Sequence, residues 1–177
     1  MNNVKIIDRD RRHGLRTLAA IALFSFTGAA LAAVDMLLVI PGVMGESTDA
    51  TYPGAITVLA YSWGDSRPAA PPSLSCFQQD LSLTKYVDTA TVPLLMALIH
   101  GRIYPKITLV VRASGPGGLV PYITIDMINA QLTSLSTGGS SGEDRLTENI
   151  SFHFVRPNYT YTPPTGAPVS ANLAACP

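Results

Sequence analysis

The chain has 177 residues, the length of one domain, with 47% apolar and 14% charged residues; that balance suits a packed globule and excludes a disordered or collagen-like chain. Twelve basic residues offset twelve acidic ones, yet five of the basic residues (Lys5, Arg9, Arg11, Arg12 and Arg16) fall within the first 32 positions, leaving seven basic against ten acidic residues and a net charge of −3 in the remainder. A mildly acidic body with scattered cations carries no electrostatic footprint for nucleic acid, so no nucleic-acid partner is expected.

Residues 1–32 read as a secretory signal peptide. Arg9, Arg11, Arg12 and Arg16 form the positive region, Leu18 to Leu31 is apolar apart from Ser25, Thr27 and Gly28, and Ala30-Leu31-Ala32 supplies small residues for cleavage after Ala32. The rival reading is an uncleaved membrane anchor, which needs about 20 apolar residues; this run is shorter and broken by polar residues. Arg11-Arg12 resembles a twin-arginine signal only poorly. Export to the periplasm or beyond is the expectation, with no membrane association after cleavage. Two cysteines, Cys76 and Cys176, then remain, and an even pair in an oxidising compartment invites a disulfide. Free thiols and bonds between subunits are the alternatives.

Downstream, Val34 to Ile40 is an apolar run closed by Pro41-Gly42, which predicts a first strand and turn. Val43 to Gly54 reads as a long exposed loop. Ile56 to Trp63 is apolar on both alternating faces, which predicts a strand covered on both sides. Arg67 to Ser75 holds Pro68, Pro71 and Pro72 and reads as extended loop. In Gln79 to Val87, Leu81, Leu83 and Lys85 alternate with Ser82, Thr84 and Tyr86. Asp88-Thr89 offers a cap for the single helix expected, Ala90 to His100, whose stripe would be Val92, Leu95, Met96 and Ile99 before Gly101 stops it.

Lys106 to Arg112 alternates Ile107, Leu109 and Val111, and Gly115-Pro116-Gly117-Gly118 turns the chain. Val120 to Met127 and Ala130 to Leu135 follow as extended segments, with a bulge expected at Asn129. The most legible piece comes next. Gly138-Gly139-Ser140-Ser141-Gly142 is a loose hairpin tip, and Ile150, Phe152 and Phe154 share one face of the returning strand, with Ser151 and His153 on the other. Tyr159 and Tyr161 prolong the pattern to Pro163-Pro164. Residues 164–177 are small and uncharged, a tail expected to be held only by Cys176. Seven or eight short strands with one helix predict a mainly β fold, a sandwich or barrel over residues 33–163.

The candidates for chemistry are weak. Gly138 to Gly142 satisfies G-x-S-x-G, but that motif works on a strand-to-helix turn, and here a strand follows. His100 ends the helix, where its ring suits the exposed carbonyls, and His153 points away from the Phe152 and Phe154 face. Neither stands at metal-ligand spacing from other donors, so no metal, cofactor or catalytic residue is expected. Glu143, Asp144, Arg145 and Glu148 form the densest charged cluster, read as a solvated turn or as a contact that fixes register between subunits.

The segments DMLLVIPGVMGESTD, LAYSWGDS, LSLTKYVDTATVPLLMALIHGR and STGGSSGEDRLTENISFHF, followed by YTYTP, resemble in order the Hcp family, tube subunits of type VI secretion. The resemblance spans about Val34 to Pro163. It implies a closed β-barrel of two sheets with one flanking α-helix, and a non-enzymatic subunit that closes into six-membered rings. It implies as partners other copies of the chain, a spike protein and small passenger proteins held in the ring. The loop from Gly45 to Tyr52, with Gly45, Glu46, Ser47, Thr48 and Asp49, corresponds to the one that helps rings stack. Tube subunits of this kind are assembled in the cytoplasm and normally lack a signal peptide. The leader, the cysteine pair and the tail therefore point to a second reading, an exported ring or fibre independent of the injection tube.

Overall fold

Strand alternation builds most of the molecule. The computed structural model describes residues 34–69, 76–115 and 117–173; the signal segment 1–32 with its cleavage at Ala32, part of the proline-rich loop, and Cys176 lie outside the described residues. Ten strands and one helix are described: β1 (Asp35–Val39), β2 (Ile56–Ser62), β3 (Asp65–Ser66), β4 (Phe77–Gln78), β5 (Leu81–Tyr86), α1 (Thr91–Ile99), β6 (Ile103–Gly115), β7 (Gly118–Gly138), β8 (Thr147–His153), β9 (Arg156–Tyr161) and β10 (Val169–Asn172).

Six strands in the order β7-β6-β1-β2-β5-β8 close into a barrel because β8 pairs back onto β7. β9 and β10 extend the sheet outside the closure, and β3 and β4 form a separate two-stranded ribbon. The 21-residue β7 is the spine. Its first half pairs with β9 and its second half with β8, while β6 runs along its other edge. The expected bulge at Asn129 is displaced. The register slips instead at Thr133, between the Leu132 and Ser134 pairings with β8, while Asn129 takes a left-handed φ of 53° at the point where β7 exchanges β9 for β8. A short amide side chain tolerates that conformation better than most.

The interior is made by one phase of each strand. Leu38, Ile56, Leu81, Leu83, Ile107, Leu109, Ile125, Leu132, Ile150 and Phe152 are buried, and Phe154 follows them just beyond β8. β2 corrects the expectation of two covered faces. Thr57 and Leu59 are exposed, and the register with β5 shifts between Val58 and Ala60, so Ile56 and Val58 face the core before the shift and Tyr61, with Trp63 beyond the strand, packs against it after the shift.

The helix stands where the sequence put it, but turned. Leu94 and Ala97 are its buried residues, packed with the β7 side of the barrel, whereas Val92 (67%), Met96 (51%) and Ile99 (74%) are exposed. Ala90 is the N-cap, and Asp88 Oδ1 accepts the Ala90 N–H at 2.9 Å. Gly101 stops the helix at a φ of +62°, with its N–H donating to Leu98 O at 3.2 Å, the conformation for which glycine is the default. The tail also departs from expectation: β10 pairs antiparallel with β9.

Candidate functional site

The segment from Val43 to Gly54 is a bound loop, pinned at its base and along its length. Gly45 N–H donates to Gly54 O at 2.8 Å and Ser47 N–H to Ala55 O at 3.0 Å. Gly45 sits so close to the next segment that a Cβ there would lie 2.6 Å from Ala55 O, so its glycine serves the fold. Asp49 faces inward and accepts the Thr51 and Tyr52 N–H groups, both at 2.9 Å. Its second oxygen meets Arg112 Nη2 at 2.8 Å. Arg112, buried in β6, also binds Asp35 at the start of β1 and lies 5.5 Å from the Tyr52 ring centre.

The Arg112 hydrogen bond, helped by the Tyr52 and Thr51 amides, holds the Asp49 carboxyl below the ordinary value of 3.8, with burial opposing. A carboxyl depressed in the folded state stabilises the protein above its unfolded value and ceases to do so as pH falls through the folded one. Asp49→Asn should therefore be less stable than the parent above pH 3.8, with the gap closing in stronger acid. Denaturation midpoints taken on both sides of that value test it; a gap independent of pH would remove Asp49 from the latch.

At the other end of the loop, Glu46 Oε2 receives Arg145 Nη2 at 3.4 Å, and the Arg145 guanidinium lies 4.3 Å from the Tyr86 ring centre. Glu46 Oε1 accepts the Thr89 N–H at 3.2 Å, and Thr89 Oγ1 donates to Met44 O at 3.0 Å. The structure thus joins two groups that sequence reasoning named separately, the loop and the hairpin tip, beside the entry to α1. Thr48, Glu143 and Asp144 are exposed.

Glu148 does not belong with them. It is fully buried and forms a 2.6 Å ion pair with Lys85, its cross-strand neighbour. Lys85 Nζ also binds Asp88 Oδ1 at 2.7 Å and Tyr86 O at 2.8 Å, while Thr91 Oγ1 donates to Glu148 Oε1 at 2.9 Å. β5, β8 and the first turn of α1 are locked together by this cluster. Gly138 to Gly142 lie at the tip joining β7 to β8, with a strand on each side, not on the strand-to-helix turn a nucleophilic serine needs. His100 Nδ1 lies 2.7 Å from Met96 O, and exposed His153 pairs with Asp80 at 3.1 Å.

The stripe that the sequence draws on α1 faces outward, with Val92, Met96 and Ile99 exposed. Val92, Met96 and Ile99 recur at i, i+4 and i+7, which places them on one stripe, and Ile103 opens β6 with 59% exposure. A family profile described as "Type VI secretion system effector, Hcp" matches residues 37–161, from within β1 to the last residue of β9. The chain belongs to the Hcp family. Protein hcp1 of Pseudomonas aeruginosa is 42% identical over 137 residues, 74% of this chain and 85% of that protein. A type VI secretion system effector from Yersinia pestis superposes with a TM-score of 0.69 at 28% identity, covering 80% of this chain and all of that one. Another solved type six secretion system protein reaches a TM-score of 0.74 at 23% identity over 80% of this chain and 96% of its own, a likeness of fold. The helix, the hairpin and all of the barrel except the first two residues of β1 fall inside the matched span; β10 falls outside it.

Proposed function

We propose that this Hcp is a self-assembling ring or tube subunit, structural rather than catalytic. The observation that carries the reading is the apolar stripe Val92, Met96 and Ile99 on the solvent face of α1, next to a loop that Arg112 and Arg145 contact through Asp49 and Glu46. A closed ring repeats one heterologous contact, so the stripe would meet a different surface of the next copy, with Thr48, Glu143 and Asp144 at the polar rim. Small passenger proteins in the ring and a spike protein at its end are the partners this role entails.

The chain without residues 1–32 should sediment as a ring-sized oligomer. Burying a side chain such as isoleucine contributes about 1.5–3 kcal/mol, and a carboxylate in its place must also be desolvated. Ile99→Glu should therefore weaken association at least about tenfold while leaving the barrel's circular dichroism unchanged. A parent that stays monomeric at every concentration would end the assembly reading, and an Ile99→Glu variant that assembles normally would remove α1 from the contact.

A second reading keeps the ring but moves it outside the cytoplasm. Its support is the signal-like segment ending at Ala32 and the cysteine pair Cys76 and Cys176, which together describe an exported subunit closed by a disulfide.

A further inference from the structure

β9 has two edges. The inner one pairs with β7 from Tyr161 opposite Ile123 to Arg156 opposite Ile128. The outer one is covered by β10, which sets Val169 against Tyr161, Ser170 against Thr160, Ala171 against Tyr159 and Asn172 against Asn158. The family profile ends at residue 161, the last of β9, so the covering strand lies beyond the span that the profile matches. All four β10 residues are exposed. No buried side chain anchors the strand. Among the described residues it is held by its ladder, by Leu173 N–H donating to Pro157 O at 3.0 Å, and by the Thr160 and Ser170 hydroxyls 2.9 Å apart.

The orientation of the ladder follows. Antiparallel pairs alternate between hydrogen-bonded and open. With Leu173 bonded to Pro157, the bonded pairs are also Ala171 with Tyr159 and Val169 with Tyr161, and Ser170 and Asn172 turn their N–H groups away from β9. Without β10, the outer N–H and C=O groups of Tyr159 and Tyr161 would lie open as a template for any extended chain.

We propose that the outer edge of β9 is a strand-accepting site and that β10 is its resident ligand, a strap that keeps the edge from taking the equivalent strand of a second copy. The ligand chemistry is that of the strap itself, an uncharged extended segment of small side chains, Val169-Ser170-Ala171-Asn172. Pro168 just before it blunts the strap's own outer edge, as proline does where a sheet ends. The site stands on the β9–β10 register and does not need the ring reading.

The test compares three chains, all kept reduced so that the cysteines make no cross-links: the full chain, the chain ended at Thr165, and the full chain with Ala171→Pro, which removes a bonded N–H. The probe is a fluorescein-labelled peptide of residues 167–173, followed by anisotropy. Both altered chains should bind it at least tenfold more tightly than the parent, and a peptide carrying the same proline should not bind. The shortened chain should gain a concentration-dependent association in sedimentation that excess peptide reverses. Equal binding to parent and altered chains, or binding to none, overturns the proposal. Because β10 is exposed, Ala171→Pro decides the matter if the shortened chain fails to fold. Failure of ring assembly would show in the parent's own sedimentation and not in the peptide comparison, so the two readings fall separately.

Discussion

Lys85→Met should lower the unfolding free energy by about 3–5 kcal/mol, the usual cost of removing one partner of a buried ion pair. Lys85 and Glu148 are both fully buried. Taking the ammonium away leaves the Glu148 carboxylate inside the barrel with Thr91 Oγ1 as its remaining side-chain donor among the described residues, and its Oε2 is already buried without a hydrogen bond. Asp88 suffers less, because it keeps the Ala90 N–H. The double replacement Lys85→Met with Glu148→Leu should recover most of the loss, since well-packed apolar residues of similar volume replace a buried pair at little cost. Urea denaturation of the parent, both single variants and the double variant closes the cycle. A Lys85→Met cost of well under about 1 kcal/mol, the scale of an exposed pair, would show that water reaches the cluster. Because Thr91 opens α1, the single variant should also loosen the helix that carries the proposed contact stripe.

The signal for this pair was in the sequence. Lys85 shares its phase with Leu81 and Leu83, and Glu148 shares its phase with Ile150 and Phe152; two opposite charges in core-facing phases on strands that pair announce a buried bridge. The sequence neighbours Glu143, Asp144 and Arg145 are exposed and mask that phase by making Glu148 look like one more charge of a solvated turn. The helix failed for a different reason. TVPLLMALI is apolar at nearly every position, so no polar face opposes any stripe drawn on it, and only the barrel decides that Leu94 and Ala97 turn inward. β10 gave no pattern at all, because its small residues bury nothing and depend on β9 for their conformation. The hairpin, by contrast, was legible to the residue: Ile150, Phe152 and Phe154 alternate with polar positions, and all three are buried. The loop from Gly45 to Asp49 reads in sequence as exposed surface. What turns it inward is Arg112, 63 residues away in sequence, and no local pattern reports a contact of that range.

Peptide mapping of the native protein without reductant should recover Cys76 joined to Cys176. The bridge would close a loop of about 100 residues, for which the chain-entropy treatment gives about 4.7 kcal/mol, so reduction should lower the urea midpoint by an amount comparable to the loss in Lys85→Met. Cys76 directly precedes β4, which Gln78 ties to the end of β8 by donating to Phe154 O at 2.8 Å. The tail already lies along β9 as far as Asn172. A bond between the two would therefore anchor the strap beyond its ladder with β9. The same spectrum reads the N-terminus. A chain that begins at Ala33 and carries the bridge was exported through an oxidising compartment, and such a subunit cannot join a tube growing in the cytoplasm. A chain that begins at Met1 with both thiols open to alkylation would sink the bridge, and the exported ring with it, and would return this Hcp to the injection tube.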